Sequence, residues 1–201
     1  MKSKLTYLIL AFLIISCEKE FLDKKPNSDI ISPQTIEDLE RILDNDRAVN
    51  STGVLARMGS DEYFIADKGI WEGLFTATQR NAYIWKDDLY EGEVDLADWG
   101  KLYSSIFYAN SVLEQLEIME SGTPAQRADV KGRALFIRAW INYDLVNTFA
   151  PIYDKRTAQL DLGIPLRLTS DINMIEQRSS VQSCYDLIIS DLQEAERLLL
   201  A

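Results

Sequence analysis

Two long apolar-periodic segments flank a Ser121-Gly122-Thr123-Pro124 break between Asp98 and Pro151, and this pattern leaves a helical hairpin as the natural fold. In the first segment Trp99, Leu102, Tyr103, Ile106, Asn110 and Leu113 recur at three- and four-residue steps, so they share one helix face. Thr123 is placed to cap the second helix, and Pro124 falls at its first position, where a missing N–H costs nothing. The second helix carries two apolar stripes: Val130, Ala134, Ile137, Ile141 and Leu145, then Leu135, Ala139, Val146 and Phe149. A helix apolar on two sides must be sandwiched between partners. Gly132, Ala134 and Ala139 permit close approach, and Arg133 and Arg138 are expected to find carboxylates. Asn110 lies on an apolar face, so it is read as a clamp on neighbouring backbone rather than a ligand contact. Trp99 and Trp140 fall on periodic faces and are expected in the core.

The elements around the hairpin are shorter. Ser32-Pro33 is read as opening a helix, with Ser32 as its cap; Ile36, Leu39, Ile42 and Leu43 supply the stripe, and Asp44-Asn45-Asp46 marks its end. From Ser51 to Asp95 the helical period fades into a stretch punctuated by glycines and rich in aromatics, with one short helix expected near Trp71–Thr78. So long an irregular segment in a compact domain suggests a functional surface. After Pro151, Gly163-Ile164-Pro165-Leu166 reads as a turn or extended connector. Arg178-Ser179-Ser180 leads into a last helix carrying Val181, Tyr185, Ile188, Leu192, Ala195 and Leu199, with Ser179 or Ser180 as its cap. Asp191, Glu194 and Glu196 are assigned to its wetter side, and the pattern is still running at Ala201, as though a domain should continue.

At the other end, Lys2 and Lys4 precede the apolar run Leu5–Ile15, broken only by Thr6. That run is too short for a membrane span of about 20 residues, but suits a secretory signal. The boundary Leu13-Ile14-Ile15-Ser16-Cys17 resembles a bacterial lipobox, with cleavage before Cys17 and diacylglyceryl transfer to its thiol. Acyl chains would tether the mature chain to a membrane. Glu18-Lys19-Glu20 looks like the surface-export signal of Bacteroidetes lipoproteins, although a solvated tether explains it nearly as well. The expected organisation is a signal peptide over residues 1–16, a tether over 17–32, and a helical domain over 33–201.

Several function classes are excluded or disfavoured. A net charge of −11, more negative still without Lys2 and Lys4, offers no basic face for nucleic acid. With no histidine, Ser-His and Cys-His nucleophiles and His-ligated metals are impossible within this chain. Asp61-Glu62 and Asp87-Asp88 are adjacent pairs that regular structure would point apart, so no acid/base pair for glycoside hydrolysis is readable. No EF-hand loop occurs, and no catalytic residue, metal or cofactor is expected. Cys184 reads as a small buried hydrophobe.

The order of five motifs is specific. The lipobox at Cys17 is followed by Trp99-x-x-Leu102-Tyr103-x-x-Ile106-x-x-x-Asn110 and by Gly132-x-Ala134-x-x-x-Arg138-Ala139-x-x-x-Tyr143-x-Leu145-Val146-x-x-Phe149. Gly163-Ile164-Pro165-Leu166 and Arg178-x-x-Val181-x-x-x-Tyr185-x-x-Ile188-x-x-Asp191-Leu192-x-x-Ala195 complete the series. Together they resemble the N-terminal part of the SusD/RagB nutrient-uptake lipoproteins of Bacteroidetes, with the C-terminal part of that fold missing. The resemblance implies an all-α fold of tetratricopeptide-like helical hairpins with a long irregular, aromatic-rich loop. It also implies a non-enzymatic, lipid-anchored, surface-exposed outer-membrane protein. Such a protein binds oligosaccharides, starch-like glycans or other nutrients and passes them, as a lid, to a SusC-like TonB-dependent transporter. Within the irregular segment, Trp71, Tyr83 and Trp85 are the candidate sugar-stacking rings, with Gln79, Arg80 and Asn81 as polar partners; the competing assignment is that these rings plug the loop onto the helices. A lipid-anchored helical-repeat adaptor that binds protein is the alternative function, and a surface hydrolase the third. Replacing Cys17 by Ala is expected to abolish metabolic acyl labelling; persistent labelling would reject the lipobox assignment.

Overall fold

The computed structural model describes residues 33–62, 64–74, 76–94 and 97–200; Cys17, the signal peptide and the tether lie outside them. Helix formation starts at Thr35, whose hydroxyl accepts from the Asp38 amide while the Asp38 carboxylate accepts from the Thr35 and Gln34 amides. This reciprocal capping box opens α1, Ile36–Leu43. The expected start at Ser32-Pro33 is therefore corrected: the helix begins where two side chains satisfy the orphan amides, after the proline. Ile36, Leu39 and Leu43 are buried against Val112, Leu116, Val130 and Ala134.

The central hairpin forms as its periodicity predicts, with α6 over Ala97–Ile118 and α7 over Pro124–Phe149. Thr123 and Gln126 make a second capping box, with Pro124 in the first turn. The turn is closed from both sides. Arg127 donates to the Leu116, Met119 and Ser121 carbonyls, covering the C-terminus of α6. Gly122 has φ +89° and lies where a Cβ would come within 3.0 Å of Ile36, so a side chain there would meet both strain and a clash. Ser121 Oγ accepts from the Ile36 amide at 2.8 Å, docking α1 onto the turn.

Beyond α7, which ends before Pro151, a two-stranded antiparallel sheet pairs β1 (Leu162–Pro165) with β2 (Arg178–Ser180). The connector is thus extended. Ser180 caps α8, Val181–Leu199. Leu102 and Ile106 of α6, Ala139, Ile141, Leu145 and Val146 of α7, Ile164 of β1, and Cys184 and Ile188 of α8 form one buried cluster, so α7 is sandwiched as its two stripes require. Each of these large side chains contributes about 1.5–3 kcal/mol when fully buried. Close approach depends on two glycines: a Cβ on Gly132 would lie 2.8 Å from Leu199 Cγ, and one on Gly163 would lie 2.5 Å from Cys184 Sγ. Burial raises the pKa of the Cys184 thiol, in keeping with a packing role.

A polar clamp crosses this core. Arg138 donates to both carboxylate oxygens of Asp191, at 2.7 and 2.8 Å, and to Asn110 Oδ1 at 3.0 Å. The Asn110 amide then donates to the Arg167 and Thr169 carbonyls at 3.0 and 3.1 Å. Asn110 is the backbone clamp its position implied. Asp191 is a correction: it is 5% exposed rather than on the wet side of α8, because the Arg138 fork turns it inward. Arg133 meets Asp44 and Asp129 nearer the surface. Trp140 is a second correction. It is 46% exposed, on an α7 face that no described element covers, whereas Trp99 packs on Tyr103 and Phe149 with ring centroids 4.9 and 5.0 Å away.

The described residues between α1 and α6 hold four short helices: α2 (Asp46–Val49), α3 (Leu55–Met58), α4 (Lys68–Glu72) and α5 (Ala77–Tyr83). The single helix expected near Trp71–Thr78 is instead interrupted. Its middle is taken by a Thr76–Gln79 capping box that starts α5. Among the described residues no helix is long and apolar enough to cross a membrane. Replacing Asp191 by Ala strands the Arg138 guanidinium, whose side chain is 11% exposed. Urea unfolding should show a loss of about 3–5 kcal/mol, well above the effect of removing the exposed Glu194–Arg197 pair.

Candidate functional site

The aromatic segment is mounted on the hairpin by carboxylates. Asp98 Oδ2 accepts from the Val54 and Leu55 amides at 2.6 and 2.8 Å, and Asp144 Oδ2 accepts from the Gly53 amide at 2.6 Å. Anions at the first amides of α3 suit the unpaired N–H groups of a helix start. Ser105 Oγ donates to the Ala48 carbonyl at 2.8 Å, tying α2 to α6.

Within the segment most of the sequence-predicted site residues brace the loop itself. Trp71 Nε1 donates to the Arg80 carbonyl at 2.9 Å, and Arg80 Nη1 donates to the Leu74 carbonyl at 2.6 Å. Asn81 is 4% exposed and its amide donates to the Asp88 and Leu89 carbonyls at 3.2 and 3.1 Å. Tyr83 Oη accepts from the Ile65 amide at 2.9 Å. Gln79 is spent on the Thr76 capping box. Glu93 closes the arrangement by accepting from the Ala77 amide at 2.7 Å, the Thr78 amide at 3.0 Å and the Thr78 hydroxyl. Nothing in the local pattern around Glu93 signals this, because its partners lie in the first turn of α5, 15 and 16 residues away.

Trp85 differs from the other candidates. It follows α5 with φ +54°, unusual for a side chain of this size, and the residue is 79% exposed. One edge rests over Gly59, where a Cβ would come 3.5 Å from Trp85 Cζ2. Phe64, 81% exposed, and Ile84, 51% exposed, are further apolar groups presented by the same segment. A flat indole held on a braced loop is what a pyranose face stacks on, since its C–H groups meet the ring while its hydroxyls stay hydrated. Asp61, Glu62, Asp87 and Asp88 are exposed around this region, and among the described residues no cluster of acidic or cysteine side chains could hold a metal.

A second concavity, a groove of about 630 Å³, runs between α6 and the segment leading from β1 to β2. Trp99, Tyr103 and Phe107 form an i, i+4, i+8 ladder along it, opposite Arg167, Met174 and Glu176. Tyr103 donates to the Pro165 carbonyl at 2.7 Å, and burial pushes its hydroxyl well above the ordinary range, so it stays a donor. The ladder is legible as spacing, but its open side is created by where residues 165–176 cross α6.

The chain matches the model of the SusD-like family described as "Starch-binding associating with outer membrane" over residues 20–201, and it belongs to that family. A SusD-like protein of Formosa agariphila is 29% identical over 113 residues, 54% of this chain and 19% of that protein. Among solved structures, a SusD superfamily protein from Bacteroides vulgatus superimposes with TM-score 0.62 at 21% identity, over 83% of this chain and 38% of that one. One from Bacteroides thetaiotaomicron gives 0.61 at 20%, over 82% and 37%. A SusD-like carbohydrate binding protein from Bacteroides vulgatus gives 0.58 at 20%, over 83% and 36%. The three solved structures share the fold of this chain over the matched part, and the chain spans well under half the length of each relative.

Bonds to Thr78, led by its hydroxyl, and to the Ala77 amide hold the Glu93 carboxyl below its ordinary value of 4.5; the Lys86 ammonium lowers Glu91 in the same way. A depressed folded-state value means the stabilisation is complete above about pH 4.5 and is lost as pH falls through the lowered value. Relative to the intrinsic rate at each pH, amide exchange at Ala77 and Thr78 should therefore accelerate as pH falls through the lowered value. In Glu93→Gln the acceleration is expected already at neutral pH, by roughly tenfold, without loss of the hairpin.

Proposed function

We propose that this chain is the N-terminal part of a glycan-binding, lipid-anchored outer-membrane protein, and that it presents oligosaccharides to a SusC-like TonB-dependent transporter as part of a lid. The observation that carries the binding reading is Trp85: an exposed indole in a left-handed backbone conformation, on a loop braced by Trp71, Arg80, Asn81 and Tyr83. Membership of a family described as starch-binding and associated with the outer membrane supports the same reading, as does the fold shared with a carbohydrate binding protein. Trp85 supplies the stacking platform. Trp71, Arg80, Asn81 and Tyr83 act one step back, by fixing the loop. Cys17 is proposed as the acylated anchor, with the acidic tether carrying the domain away from the lipid surface.

The test is affinity electrophoresis of the intact lipidated protein in gels containing soluble starch-type and other polysaccharides. Trp85→Ala should weaken retardation by roughly tenfold, about 1.4 kcal/mol for one lost stacking ring, with an unchanged melting temperature. Trp71→Ala should instead lower the melting temperature. Unchanged retention in a folded Trp85→Ala variant would remove this loop as the binding surface. Failure of the membrane-extracted protein to co-purify with any plugged β-barrel would count against the lid role.

A further inference from the structure

The unpaired charges around the Trp85 platform are mostly of one sign. Between Ser51 and Val94 the chain carries eight carboxylates against four cations. Three of those cations are engaged: Lys68 pairs with Glu72 at 3.1 Å, Lys86 pairs with Glu91, and Arg80 Nη1 donates to the Leu74 carbonyl at 2.6 Å. Lys86 directly follows Trp85, so the cation nearest the ring in sequence is spent within the loop. Arg57 is exposed and, among the described residues, in no ion pair. Asp61, Glu62, Asp87 and Asp88 are exposed too, and none of them meets a cation among the described residues. Asp88 Oδ1 accepts from the Glu91 amide at 3.0 Å, which leaves its charge uncompensated. Asp87 and Asp88 stand two and three residues past Trp85; Asp61 and Glu62 stand two and three past Gly59, over which the indole edge rests. At about 3.8 Å per residue, all four α-carbons lie within about 11 Å of those of Trp85 or Gly59. That is comparable with the Debye length of about 8 Å at physiological salt, so a ligand on the ring feels their field incompletely screened.

Resting on the reading of Trp85 as a stacking platform, we infer that this site rejects polyanionic glycans, those built from uronates or sulfate esters, and takes uncharged polysaccharide. Asp61, Glu62, Asp87 and Asp88 are its specificity-determining residues. Stacking alone does not make this choice, since an acidic sugar offers an indole much the same C–H face as its neutral parent. The selection is repulsive: each acidic sugar on the ring brings a negative charge toward four carboxylates that no cation of the described residues neutralises. A site built for acidic sugars would present guanidinium groups, whose planar fork matches a carboxylate. Here Arg57 stands against four acids, and the net charge of −11 adds a wider field of the same sign.

Biolayer interferometry of the intact lipidated protein tests this on matched polymers: soluble starch, a mixed-linkage β-glucan and a galactomannan, each unmodified, carboxymethylated and sulfated. At about 20 mM salt the polymer that binds is expected to do so at least about tenfold more tightly than its two derivatives, and the gap should fall below about threefold at about 0.5 M salt. In Asp61→Asn/Glu62→Gln/Asp87→Asn/Asp88→Asn the gap should close at low salt as well. Neutralising four exposed carboxylates on α1, at the C-terminal end of α6 and on α8 (Glu37→Gln, Glu117→Gln, Glu120→Gln and Glu196→Gln) should leave it open. Asp61→Asn/Asp87→Asn replaces the first variant if its melting temperature falls, and should at least halve the ratio. Equal or tighter binding of the derivatives would overturn the inference, while loss of that binding in Trp85→Ala would keep the platform itself. A gap that survives in the platform variant, or closes equally in the remote one, would overturn the assignment to these carboxylates. Binding of no polymer in any form would remove the platform reading, and this inference with it.

Discussion

The Arg138 guanidinium holds this fold in one register. It lies between three helices, takes both oxygens of Asp191 from α8, and fixes Asn110 of α6, whose amide then grips the chain at Arg167 and Thr169. A buried ion pair of this kind adds less net stability than its contacts suggest, because desolvation offsets the attraction. Its consequence is geometric: any slip of α8 along α7 would leave a charge without a partner, and any slip of the β1–β2 connector across α6 would leave the Asn110 amide without its carbonyls. The apolar side chains of α7 could pack in several registers; the clamp permits one.

That register also sets the surface on which the functional readings rest. The N-terminal half of α6 and the C-terminal half of α7 present Asp98 and Asp144 to the Gly53–Leu55 backbone, so the irregular segment begins from a fixed point. From there the segment satisfies its own polar groups through Trp71, Arg80, Asn81, Tyr83 and Glu93, and Trp85 is turned outward. Rigidity in the support and exposure in one ring are compatible because different residues supply them. On the opposite account, in which all three rings plug the loop, Trp85 would be covered. It is not.

Much of this was legible from spacing. The hairpin, its Thr123-Pro124 start, the sandwiching of α7, the clamp role of Asn110 and the burial of Cys184 all follow from local patterns, since periodicity and capping are short-range properties. The errors have a common origin. Asp191 is polar, which favours water; Trp140 is apolar, which favours the core. In each case side-chain type predicts a preference, while burial depends on what other chain reaches that spot. The start of α1 was misplaced for a related reason, because a proline at a plausible first turn competed with a Thr35–Asp38 box three residues on.

Sequence alone therefore determined the long helices of the hairpin and the last helix, the family resemblance and the candidate anchor at Cys17, because each is written in contiguous residues. Tertiary structure alone decided which candidate ring is free, where Asp191 and Glu93 find their partners, and which helical face is left uncovered. Those outcomes depend on groups brought together from distant parts of the chain, as Arg138 and Asp191 are, and no local period encodes such a meeting.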